Sequence, residues 1–195
     1  MKTLDRPIFP DYWERFNLSV DIMRTKKCRT VFRLTMIEGF NMGEENLPEY
    51  KDIFDRGQPN FVEIKRLTPA FSASARSVLG IKNVPKWEDM KAYAERLCKV
   101  ILDGETYSVA SVHEHSGCVL LAHKRFIIGG IVHTWINYDK FDAHVEGGTL
   151  SSMTPEDYLL PTPPWALPSS PSEGFDPTQE RHVTPKKKKY LETLR

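Results

Sequence analysis

The chain has 195 residues, 40% of them hydrophobic, which is enough to bury a core in one or two small domains. A formal net charge of +1 excludes a global basic field, so any nucleic-acid surface has to be local. Three isolated cysteines, Cys28, Cys98 and Cys118, argue against a disulfide framework, and no run approaches the ~18–20 apolar residues of a membrane span. The opening MKTLDRPIFP has no apolar leader and places Asp5 early, which makes it a poor targeting peptide. With thiols suited to a reducing compartment, a cytoplasmic protein with no membrane partner is expected.

In chain order, Pro10 and Asp11 suit a helix start, and Tyr12, Trp13, Phe16, Ile22 and Met23 follow as a rough helical stripe. Residues 30–37, TVFRLTMI, alternate and read as a strand closed by Gly39 and Asn41. A short helix is expected over 47–56, with Pro48 in its first turn and Gly57 just past its end. The next strand, FVEIK at 61–65, places Phe61, Glu63 and Lys65 on one face and Val62 and Ile64 on the other. After a polar loop, SASARS at 72–77, Pro85 opens a helix with Trp87, Met90, Tyr93, Ala94, Leu97 and Ile101 at helical spacing. Strands separated by helices at such intervals are the pattern of parallel βαβ units.

Beyond Gly104 the pattern changes. Residues 112–138, VHEHSGCVLLAHKRFIIGGIVHTWINY, read as a short antiparallel meander. Strands at 107–113 and 118–123 are joined by Ser116-Gly117, and those at 126–128 and 131–136 by Gly129-Gly130, a hairpin signal. Thr-Pro-Glu-Asp at 154–157 resembles a helix-capping arrangement. The proline-rich stretch from Pro161 is expected to wrap over the domain without regular structure, and the tail PKKKKYLETLR to be disordered. Its lysine run at 186–189 reads as a solubilising tail, with nuclear import or loose RNA attraction as alternatives.

The meander holds the densest chemistry. His113 and His115 share a face at strand spacing; with His123 on the next strand they could hold zinc, contact a substrate, or be hydrogen-bonded structural imidazoles. Glu114 faces oppositely, where it could pair with Lys124 or Arg125. Lys124 and Arg125 at a turn suit a phosphate, and Trp135 and Tyr138 offer stacking faces, the mixture that recognises single-stranded RNA loops. In the first half, Arg33, Thr35, Glu63 and Lys65 stand near the C-terminal ends of parallel strands, where α/β sites are built. A Glu63–Lys65 ion pair is the expected arrangement there.

These spellings carry a resemblance. The segments KTLDRPIFPDYWERF, RTVFRLT with GFN, PNFVEIK, SVHEHSGCVLLAHKRF, TWINY, PPWAL and GFDP, and the pair Arg181-His182, in this order, resemble the C-terminal portion of the radical-SAM tRNA 4-demethylwyosine synthases. The resemblance implies an α/β fold: the C-terminal half of a partial β/α barrel over 1–104, a small α+β wyosine-base-formation domain over 105–182, and a basic tail at 183–195. It implies S-adenosylmethionine and a 4Fe-4S cluster as cofactors, although the cluster ligands are absent from this chain. It implies conversion of N1-methylguanosine in tRNA-Phe, with pyruvate, to 4-demethylwyosine. On that footing His113, His115, Glu63 and Lys65 are candidate catalytic residues, with Lys65 able to form a Schiff base with pyruvate. Arg33 and Thr35 would face S-adenosylmethionine or pyruvate, and His123, Lys124, Arg125, Trp135, Asn137 and Tyr138 the RNA.

Without a three-cysteine cluster motif, the chain is expected to be a truncated or split member, with a separate chain carrying the cysteines as a partner. A non-catalytic tRNA-binding protein derived from that enzyme is the alternative. A half barrel would leave an unpaired strand edge. Three departures from the family's usual spelling, Ile37-Glu38-Gly39, Arg66 after Lys65, and Pro85-Lys86-Trp87, point to a relaxed or repurposed copy.

Overall fold

The computed structural model describes residues 7–68 and 79–179. The loop at 72–77, Arg181-His182 and the lysine run at 186–189 lie outside these residues. Helix α1 (Tyr12–Arg24), strand β1 (Val31–Met36), helix α2 (Leu47–Gly57), strand β2 (Phe61–Arg66) and helix α3 (Trp87–Val100) follow the expected order. Strands β3 (Tyr107–His113) and β4 (Cys118–His123) come next. The two form one four-stranded sheet with β1 and β2, in the order β1-β2-β4-β3. β1 and β2 are parallel; β4 runs antiparallel between β2 and β3. The sheet therefore crosses position 104 without a break, and a core common to both sides backs it.

Alternation along each strand builds two faces. Phe32, Met36, Val62, Ile64, Val112, Val119 and Leu121 pack with Val20 of α1, Leu47 and Phe54 of α2, and the α3 stripe of Trp87, Met90, Tyr93, Ala94 and Leu97. Burying that stripe holds α3: Met90, Tyr93, Ala94 and Leu97 have no solvent exposure, and each large apolar side chain so buried contributes about 1.5–3 kcal/mol. Among the described residues, the apolar cover of the opposite face lies at the end where β2 begins. Phe61, Ala110 and Ala122 meet Phe126 and Leu159 there in a second, smaller core.

The cover comes from the chain after β4. Gly129 and Gly130, at φ 57° and 80°, close a hairpin between β5 (Ile127–Ile128) and β6 (Ile131–Val132). The expected meander does not continue from there. Trp135–Ile136 is a separate strand, β7, paired with β8 (Leu159–Leu160), and Tyr138 begins a helix, α4 (Tyr138–Glu146). The signals for α4 are local: Asn137 caps it by accepting the Lys140 N–H at 3.0 Å, and Asp139 sits in its first turn. Thr154 and Asp157 form the anticipated capping arrangement at a one-turn helix, Pro155–Tyr158. Arg29 ties the cover to the sheet, lying 4.0 Å above the Phe61 ring and donating to the Thr134 carbonyl.

From Pro161 the chain wraps back across β3. Thr162 N–H donates to the Val132 carbonyl, Gly174 N–H to that of Trp165, and Glu114 N–H to that of Glu173. Gly174 has φ +83°, and a Cβ there would fall 1.7 Å from the Val112 carbonyl oxygen. Only glycine lets the wrap approach the β3 backbone so closely.

Candidate functional site

Strand register places side chains in rows, because residues directly opposite on neighbouring strands share a face. One row on the less covered face reads Thr35, Lys65, Cys118 and His113 across β1, β2, β4 and β3. The next row toward the covered end reads Arg33, Glu63, Leu120 and Ser111. Strands lie roughly 4.7–4.9 Å apart, so each row presents a string of near neighbours. Residues from both halves of the chain meet in these rows. Cys118 and Ser111 were not anticipated as site residues, since nothing local in the sequence says that β4 inserts beside β2.

The expected Glu63–Lys65 pair is not formed. Glu63 Oε2 lies 3.3 Å from Arg33 Nε, and the Cys118 thiol donates to Glu63 Oε1 at 3.6 Å. Geometry decides this: Arg33 stands opposite Glu63 on the adjacent strand, about 4.5–5.5 Å away at Cβ, whereas residues two apart on one strand are further separated. Among the described residues Lys65 makes no ion pair, and its Nζ is not occupied by a carboxylate. Burial first, and then the Glu63 charge, push the Cys118 thiol up to about 12, so it acts here as a neutral donor.

At the end of β3 the chain turns through Glu114–Ser116, a one-turn helix, so His115 does not continue the strand. Its ring still lies 6.1 Å from that of His113 and 6.0 Å from that of Phe175 on the wrap. His113 Nδ1 and Ser116 Oγ are 2.6 Å apart, which fixes the His113 ring. Gly117, at φ +61°, closes the turn against Arg66, which is buried. The bulky Arg66 thus braces the turn carrying His113 and His115. Glu114 does not pair with Lys124 or Arg125, because the turn directs it to the wrap. There it hydrogen-bonds the Glu173 carboxyl and raises it above its ordinary value.

His123 is at the other end of β4. Register sets His113 opposite Cys118 but His123 opposite Tyr107, so the three imidazoles do not converge as a zinc site would require. No group of three metal-ligand side chains is found among the described residues. His123 touches the Tyr107 ring, accepts the Arg125 N–H at 3.1 Å, and is shifted down by burial and then by Arg125. Lys124 pairs with Glu105 at 2.9 Å and Arg125 with Glu156 at 3.4 Å, both at the surface.

Trp135 is 48% exposed and meets Trp165 edge-on at 5.9 Å; Tyr138 is 67% exposed. Asn137 is occupied as the α4 cap. The candidate residues therefore fall into two groups: the rows around Lys65 with the His113–His115 turn, and those of 123–138, among which Trp135 and Tyr138 expose their rings. Cys28 is exposed, Cys98 is in the helix-side core, and Cys118 faces Glu63. These three do not fit a four-iron cluster, which needs thiolates gathered at one point.

Residues 56–123, from the end of α2 through β4, match the family described as wyosine base formation. A 4-demethylwyosine synthase of Oryza sativa subsp. japonica is 43% identical over 183 residues, covering 93% of this chain and 27% of the relative. The Homo sapiens enzyme, TYW1, is 37% identical over 195 residues, covering 98% and 26%. A solved TYW1 with a lysine–pyruvate adduct bound superposes with TM-score 0.48 and 23% identity, covering 60% of this chain and 34% of that one. The chain spans about a quarter of the length of the curated relatives it matches. Residues 56–123 thus match the wyosine-base-formation family, and the chain around them is similar, over nearly its whole length, to about a quarter of the length of the tRNA 4-demethylwyosine synthases.

Proposed function

We propose that this chain takes part in wybutosine biosynthesis as a tRNA 4-demethylwyosine synthase, with Lys65 as the residue that receives pyruvate. The observation that carries this reading is the row Thr35, Lys65, Cys118 and His113, in which Glu63 is engaged by Arg33 and Cys118 and leaves the Lys65 Nζ open. The amine attacks the keto carbon, water leaves, and an imine forms. Arg33, whose side chain is 58% exposed, meets the pyruvate carboxylate beside Glu63, and Thr35 flanks the imine. His113, with its ring oriented by Ser116, passes protons at the far end of the row, and His115 lines the approach. His123, Lys124, Arg125, Trp135 and Tyr138 receive the tRNA.

When bound, S-adenosylmethionine and a four-iron cluster supply the radical that acts on the methyl group of N1-methylguanosine. We place the cluster ligands elsewhere than Cys28, Cys98 and Cys118, in a separate chain or another part of the same polypeptide. The dispersal of these cysteines also favours a second reading, a tRNA-binding protein without catalysis.

Borohydride trapping distinguishes the two. The full chain incubated with pyruvate and sodium cyanoborohydride should carry a reduced pyruvate adduct on Lys65, located by peptide mass spectrometry and lost in Lys65→Arg. Adducts spread over exposed lysines with none at Lys65 would sink the pyruvate role. Retained tRNA binding in that case would leave the non-catalytic reading in place.

A further inference from the structure

Glu63 is the one carboxylate in the two rows around Lys65, and its oxygens are divided between the neighbouring strands. Oε2 lies 3.3 Å from Arg33 Nε on β1, and Oε1 accepts from the Cys118 thiol on β4 at 3.6 Å. Register explains the thiol. Directly opposite Glu63 on β4 is Leu120, and the diagonal neighbours are Cys118 and Ala122. Leu120 and Ala122 have no polar side-chain atom, so Cys118 is the donor that β4 presents to Glu63.

The backbone holds this contact in place. Ile64 and Val119, the chain neighbours of Lys65 and Cys118, have no solvent exposure and belong to the helix-side core. Alternation therefore fixes Lys65 and Cys118 on the opposite face, where register pairs them. Arg66 N–H donates to the Gly117 carbonyl at 2.7 Å, which ties β2 to the turn immediately beside that pair. Burial keeps the thiol protonated and so able to donate.

Glu63 has another partner within reach. Lys65 is two residues along the same strand, on the same face, with a long flexible stem. A lysine captured as an ammonium has no lone pair for a carbonyl carbon, whereas imine formation needs the free amine. The Glu63 side chain is 29% exposed, and a partly exposed ion pair gains little because water screens it. A single competing contact is then enough to decide where Oε1 points. Arg33 alone engages only Oε2; the thiol is what occupies the other oxygen.

We propose that Cys118 is a positioning residue for Lys65: its thiol holds Glu63 toward Arg33 and so keeps the carboxylate from capturing the Lys65 amine. The use of that amine rests on the pyruvate reading above; the contact itself does not.

Trace acetylation of the full chain with acetic anhydride, read at Lys65 by peptide mass spectrometry against the exposed Lys26 and Lys27, measures the amine without pyruvate. Lys65 labelling should fall severalfold in Cys118→Ala. Cys118→Ser, which keeps a donor at this position, should restore most of it. Cys118→Ala/Glu63→Gln should restore it too, because no charge is left to capture the amine. Unchanged labelling in Cys118→Ala would overturn the proposal. A loss that neither Cys118→Ser nor Glu63→Gln reverses would mark a packing defect and overturn it as well. Pyruvate and cyanoborohydride given to the same proteins should yield Lys65 adducts that follow the labelling. Labelling that changes as expected, with no adduct at Lys65 even in the parent chain, would remove the pyruvate role and leave the positioning role of Cys118 standing.

Discussion

Burial changes the chemistry of two cysteines and leaves the third in solvent. Desolvation, with Glu95 and Glu63 adding their charges, pushes the Cys98 and Cys118 thiols up to about 12, while Cys28 is exposed. Iodoacetamide at neutral pH should therefore label Cys28 and spare the other two until denaturant is added, as peptide mapping would show. Rapid labelling of Cys118 in the native protein would contradict its place against Glu63. The same shifts set an alkaline limit. Above the ordinary thiol value of 9.0 the unfolded chain loses protons that the folded chain retains, so stability falls as pH rises from about 9 toward 12. Each thiol removes on the order of 1 kcal/mol per pH unit in that window. Tyr50, also pushed to about 12 by burial, adds to the loss above pH 10. Thermal melts between pH 8 and 11 would check the slope, and Cys98→Ala or Cys118→Ala should flatten it.

At the scale of elements, α4 separates two roles that lie side by side in the sequence. Asn137 accepts the Lys140 N–H and so caps the helix, whereas Trp135 and Tyr138 expose their rings. Asn137→Ala should cost about 1 kcal/mol of local stability. Trp135→Ala should leave the melting temperature nearly unchanged but weaken tRNA binding by the ~1–3 kcal/mol that a base–aromatic stack contributes. Gel shifts at one fixed salt concentration, beside melts, measure both. Equal tRNA affinity for Trp135→Ala and the parent chain would remove the stacking role. The start of α4 is written in local signals, namely Asn137, Asp139 and the helical spacing of Phe141 and Val145. The strand-like Trp135–Ile136 just before them masks it, which is why the stretch reads as a continuing meander.

Over the whole molecule, β1 is an edge strand among the described residues, and α1 keeps apolar side chains in solvent. Trp13 and Phe16 stack at 5.3 Å, and with Ile22 of α1 and Val31 of β1 they are exposed. An open edge flanked by apolar surface favours association. The chain alone should show concentration-dependent self-association by light scattering, and Trp13→Lys/Ile22→Lys should suppress it without unfolding, because α1 is held by the buried Val20. A monomer at every concentration would refute the expectation.

Sequence alone determined the elements and their faces. Period-two alternation put Glu63 and Lys65 together opposite Val62 and Ile64, helical spacing identified the buried stripe of α3, and the spelling around His113 and His115 carried the family resemblance. These are signals within a few residues of one another, and local propensity and pattern are enough to read them. Tertiary structure alone decided that β4 lies between β2 and β3, and hence that Cys118 and His113 stand in line with Lys65. It decided too that Glu63 turns to Arg33, and that His123 sits apart from His113. Strand order and register depend on which apolar faces pack best across the whole chain, and that contest between distant segments leaves no mark on any one of them.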